Sequence, residues 1–115
     1  MFMSKAKLIK CVPDGSELGI ELSSKGYVGV RIETATGSGD KNTSDFRISS
    51  ICGDEFVESI DSSSWGPLLR AHLKMIRAQE PFFNCTILAT INVVGAGEYS
   101  TIMGILNEFG DVEVE

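Results

Sequence analysis

The chain has 115 residues, 43% hydrophobic and 23% charged, with a formal net charge of −6. That length supports one domain with one core, and the acidic balance disfavours nucleic acid and anionic membrane, both of which need clustered Lys and Arg. Cys11, Cys52 and Cys85 are odd in number and lack a CxxC pair, which argues against a disulfide framework or a zinc site and for reduced, buried thiols.

In chain order, Met1 to Lys10 carries three lysines and no apolar run of signal-peptide length. Ala6 to Val12 is a short β-prone run ended by the turn Pro13-Asp14-Gly15. Leu18 to Leu22 reads as the next strand. Gly19 between two aliphatic residues packs nothing in a strand, but it suits backbone that curls and presents consecutive N–H groups to an anion such as a carboxylate. Tyr27 to Ile32 alternates, with Val28, Val30 and Ile32 on one side, the period of a half-buried strand. Thr34 to Ser44 is a loop by composition, and the stretch on to Ile51 is irregular. After the Gly53-Asp54 turn, Glu55 to Ile60 suggests another strand.

Gly66-Pro67 opens a helix that runs to about Gln79 and stops before Pro81. At 100° per residue, Arg70, Lys74 and Arg77 form the solvated stripe, Leu68, Ala71, His72 and Met75 lie roughly opposite, and Leu69, Leu73 and Ile76 make a third stripe. An apolar arc of about 200° exceeds what docking on one core requires. Either the helix is buried on two sides, for instance by the C-terminal helix, or Leu69, Leu73 and Ile76 line a groove for an apolar partner. Phe82 to Val94 is β-like, and Glu98 to Phe109 reads as a second helix stopped at Gly110. Asp111 to Glu115 is a last short strand or a frayed tail. The apolar stretch Cys85 to Val94 is far too short to span a bilayer, so a cytoplasmic protein without membrane insertion is expected.

The order of parts resembles a PDZ domain over about Lys5 to Val94. Leu18-Gly19-Ile20 is similar to the last three positions of that family's G-L-G-F carboxylate-binding loop, with Glu17 in place of the first glycine. Gly53-Asp54-Glu55-Phe56-Val57-Glu58-Ser59-Ile60-Asp61 is similar to its G-D-x-I-L-x-V-N-G segment. Leu69 falls at the spacing of the first groove position on the second helix, and Ile76-Arg77 on the family's Leu-Lys. The resemblance implies an α+β, mainly β fold: a partly open sandwich or barrel of five to six strands capped by two helices, residues 1–94, followed by a helical extension, 95–115. It implies a monomeric protein–protein interaction module that binds the C-terminal tail of a partner by β-strand addition. The N–H groups of Leu18, Gly19 and Ile20 would hold the terminal carboxylate, and Glu21, Leu22, Leu69, His72, Leu73 and Ile76 would form the groove. Leu69 at the position where hydroxyl-selecting members carry His implies a preference for hydrophobic-x-hydrophobic-COOH. A one-residue slip, with Leu68 first and His72 in the groove, stays open.

No enzyme signature, cofactor motif or metal site is read from the chain. Cys52 and His72 lack a nucleophile signature, and a lone His on an apolar helix face is more often a satisfied core residue. Asp54, Glu55 and Glu58 lack calcium-loop density, and Gly37 to Lys41 is not a phosphate loop. The alternative reading takes Phe82 to Val94, Glu98 to Phe109 and Asp111 to Glu115 as a β-α-β unit of a ferredoxin-like small regulatory or dimerisation domain.

Overall fold

The computed structural model describes residues 8–25, 27–36, 43–61, 66–79, 86–93 and 95–115. Strand β1 (Leu8–Pro13) buries Ile9 and Cys11 toward one side and Val12 toward the other. It ends in the expected turn, where Gly15 adopts φ +78° and the Asp14 N–H donates to the Ile91 carbonyl at 3.1 Å.

The next element corrects the sequence reading. Residues expected as a strand form helix α1 (Glu17–Ser24). Ser16 caps it: its Oγ accepts the Gly19 N–H at 3.0 Å, satisfying an otherwise orphaned first-turn donor, worth about 1 kcal/mol. Leu18 and Leu22 then lie four residues apart on one helix face and join Val12, Leu88 and Tyr27 in a small cluster. A Cβ on Gly19 would sit 3.2 Å from Ser16 Oγ and 3.2 Å from Val12 Cγ2. The glycine therefore lets the helix approach β1 closely.

Strand β2 (Val28–Thr36) follows, running further than its alternating segment suggested. It pairs antiparallel with β3 (Thr43–Ser50), from Val30↔Ser50 to Thr36↔Ser44. The loop expectation for Thr34 to Ser44, and the irregular stretch to Ile51, are thus corrected where described. Phe46 and Ile48 are buried at period two, a signal outweighed in composition by the polar residues between them. Residues 37–42 lie outside the described ones. A tight turn with Gly53 at φ +124° leads into β4 (Gly53–Asp61), antiparallel to β3, with a register shift opposite Ser44/Phe46.

Helix α2 (Gly66–Ala78) lies where expected. Strand β5 (Ile87–Asn92) is shorter than Phe82 to Val94, of which residues 82–85 and 94 lie outside the described ones. Helix α3 (Ala96–Phe109) and β6 (Asp111–Val114) complete the chain.

The six strands form one mixed sheet in the order β4-β3-β2-β5-β1-β6. β5 is parallel to β1 and β2, and β1 to β6. Among the described residues the architecture is α+β and mainly β, with three helices. Alternate residues of a strand point to opposite faces. Ile9, Cys11, Ile87, Ala89 and Ile91 join the main core with residues of α2 and α3, whereas Val12 and Leu88 join α1. α1 therefore covers one face and α2 with α3 the other. The crossovers β1-α1-β2 and β5-α3-β6 run in opposite directions across the sheet, and one handedness then places their helices on opposite faces. Ile102, Ile105 and Leu106 of α3 belong to the main core, and β6 joins the sheet beside β1, so the boundary at 94/95 falls inside a continuous sheet and core. Among the described residues no helix is long and apolar enough to cross a membrane.

Candidate functional site

α1 packs mainly on β1 and β5, and Arg31, Arg47 and Phe56 lie exposed on the face of β2, β3 and β4 opposite α2. Among the described residues β4 is also one edge of the sheet. It is nine residues long, against four for β6 at the other edge. Half the backbone N–H and C=O groups of an edge strand point away from its single neighbour and remain available to another extended chain.

The side chains of β4 alternate in role. Glu55 pairs with Ile48 and Val57 with Phe46, on the helix-covered face; Phe56 pairs with Arg47 on the open face. Phe56 is 50% exposed, with the Arg47 guanidinium over its ring, 4.8 Å from the centroid, a cation–π contact. Arg47 also lies 4.0 Å from Glu33, which bonds Arg31 at 3.0 Å. Arg31 in turn donates to Asp14 at 2.9 and 3.2 Å. The guanidinium holds the Asp14 carboxyl below its usual range. A charge ladder thus crosses the open face and ends at Phe56. A cleft of about 190 Å³ lies beside the ring, lined by Thr34, Ala35, Asp45 and Asn92 among others.

His72 fixes the edge from the other side. Its side chain is fully buried, with Nδ1 2.8 Å from Ser50 Oγ and Nε2 2.6 Å from Glu55 Oε2. An ionised carboxylate only accepts, so Nε2–H donates to Glu55. Ser50 Oγ also accepts the Cys52 N–H at 3.0 Å. One imidazole therefore ties the β3–β4 turn and the start of β4 to α2. That is the satisfied core histidine of the sequence reading, with Ser50 and Glu55 as partners in place of Cys52. Sequence gave no signal for either partner, since both contacts depend on the β3–β4 register.

The proposed peptide site falls elsewhere. Leu18, Gly19, Ile20, Glu21 and Leu22 are all in α1. Two of the three N–H groups assigned to a carboxylate are taken up at the start of the helix: the Gly19 N–H goes to Ser16 Oγ and the Ile20 N–H to the Ser16 carbonyl. Leu69, His72, Leu73 and Ile76 are on α2, each fully buried or nearly so. Leu69, Leu73 and Ile76 share the main core with α3, and Arg70 reaches across to Glu108 at 2.8 and 2.9 Å. The wide apolar arc is thus a helix buried on two sides, by sheet and by α3, and its third stripe does not line an open groove. Leu22 packs on Val12 and Leu88 on the opposite sheet face, so the α1 and α2 residues are not brought together.

Among the described residues no group of three His, Cys, Asp or Glu is arranged to hold a metal ion. The chain matches no family model, no curated protein and no solved structure.

Proposed function

We propose that this chain is a protein-interaction domain that takes an extended segment of its partner as an added strand on β4. The observation that carries this reading is the nine-residue edge strand with Phe56 half-exposed on it. Main-chain pairing supplies attachment, and side chains at alternate positions supply choice. Gly53–Asp61 holds four acidic residues and no basic one. Like charges on two copies repel, which keeps the edge from pairing with itself, while a basic segment is attracted. Asp54 and Phe56 lie two residues apart on the open face, so the favoured segment is basic-x-apolar, with the apolar side chain across from Phe56. The tie of Glu55 and Ser50 to His72 holds the edge extended before the partner arrives, which lowers the entropy lost on binding.

The resemblance to PDZ domains implies the same class, strand addition, but its loop and groove residues lie in α1 and on the buried faces of α2. It differs in requiring a free C-terminal carboxylate. A labelled Thr-Lys-Thr-Val-Thr-Lys-Thr peptide, blocked at both ends, separates the two by fluorescence anisotropy. Saturable binding that weakens with added salt, and falls about tenfold or more in Asp54→Lys/Phe56→Ala, is the expected result. Binding only by peptides with a free, apolar C-terminus would overturn the edge reading in favour of carboxylate capture. Absence of binding by either kind would overturn both.

A further inference from the structure

Strands β1, β2, β5 and β6 run parallel, so their carboxyl ends share one rim of the sheet. β1 and β5 are neighbours there, yet the chain leaves them toward opposite faces, β1 into α1 and β5 into α3. Where successive crossovers diverge in this way the rim between the two strands is left uncovered, and open parallel sheets bind their ligands in that crevice. A cleft of about 240 Å³ occupies it, formed by the ends of β1, β5 and β6 together with α3.

The chemistry of the walls narrows what fits. Pro13, Val93 and Val114 are apolar, and Tyr99, 37% exposed, lies in the same lining. Asn92 and Glu115 are the amide and carboxylate residues of the lining, and no Lys or Arg lines the cleft among the described residues. The nearby cations are already engaged, Arg31 by Asp14 and Glu33 and Lys10 by Glu113. Cys11 contributes to the floor, but burial pushes its thiol up to about 11. It stays protonated at neutral pH, which makes it a poor nucleophile.

We infer that this cleft is a binding site for a small organic cation, an ammonium head on a compact apolar or aromatic body. The ammonium is held by the Glu115 carboxylate and the face of Tyr99, and the body rests on Pro13, Val93 and Val114. An anion of the same shape meets a carboxylate and no compensating cation among the described residues of the lining. The volume is below the roughly 300–1,000 Å³ of drug-sized pockets, so the body is about one ring in size.

The test is an amide chemical-shift titration of the isotope-labelled full chain with 2-phenylethylamine, alongside phenylacetate and benzyl alcohol. The amine is expected to give saturable shifts at Val12, Asp14, Asn92, Val93, Tyr99 and Val114, and the acid to bind about tenfold more weakly or not at all. Glu115→Gln weakens the amine by about two- to fivefold, the range an exposed ion pair supports. Val114→Trp fills the crevice and abolishes the shifts while amide dispersion elsewhere is retained. Equal response to amine and acid, saturable shifts mapping to another surface, or no saturable shift with the amine would each overturn the assignment.

Discussion

Leu73→Ala decides whether the third apolar stripe of α2 is core or groove. Leu69, Leu73 and Ile76 are 0%, 0% and 2% exposed and share one cluster with Phe46, Ile48 and Ile105. Truncating a fully enclosed leucine costs the lost transfer free energy plus a cavity term, together about 2–5 kcal/mol. For a domain of this length each kcal/mol moves the melting temperature by about 4 °C, so the expected drop is roughly 8–20 °C. Met75→Ala, on the same helix but exposed, serves as the control and stays within about 1 kcal/mol. Thermal and urea unfolding followed by far-UV circular dichroism give both values. A Leu73→Ala variant within about 1 kcal/mol of the parent would refute the two-sided burial of α2 and return Leu73 to an open groove.

His72→Ala leaves Ser50 and Glu55 without their shared partner and opens a cavity, so it is expected to cost about 2–4 kcal/mol in urea unfolding, against about 1 or less for the half-exposed Glu55→Gln; equal losses would contradict the geometry. Gly53→Ala places a Cβ on a residue at φ +124° and is expected to destabilise by about 1–3 kcal/mol in the same assay, whereas Gly97→Ala, with open space around its Cβ, is expected to be neutral or stabilising. Asp14 and Glu108 titrate below their ordinary values of 3.8 and 4.5 because Arg31 and Arg70 hydrogen-bond their charged forms. Their contribution is present above those ordinary values and is lost as pH falls through the lower folded ones. Asp14→Asn/Glu108→Gln should therefore flatten the loss of stability below about pH 4.5, and an unchanged acid limb would count against both pairs. Cys11, its thiol raised to about 11 from 9.0, should escape alkylation at pH 8 until the protein unfolds, as read by mass mapping of its peptide.

What the sequence disclosed follows from how local each signal is. Helix α2 was legible because Pro67 at the first turn and a 3.6-residue period act within one segment. The β-α-β order of the last thirty or so residues was legible for the same reason. α1 was not. Leu18, Ile20 and Leu22 also fit a period of two, and Gly19 weakened the helical pattern; Ser16 as an N-cap followed by Glu17 was the local signal that pointed the other way. β3 was hidden because Phe46 and Ile48 are two apolar residues among Thr, Ser, Asp and Arg, and what orders them is pairing with β2, a contact distant in sequence. The edge position of β4, the Ser50–His72–Glu55 tie and the crevice between β1 and β5 all depend on strand order, which no short window of residues encodes.

Hydrogen exchange of the β4 amides, with and without the blocked Lys-Thr-Val-Thr-Lys segment, addresses the claim that this edge receives a partner strand. In the free protein the outward-facing amides of Gly53 to Glu58 should exchange rapidly and those paired with β3 slowly. Adding the segment should slow the outward set alone, leaving α1 and α2 unchanged. Unchanged exchange along β4 at saturating peptide, or protection confined to α1 and α2, would contradict the account.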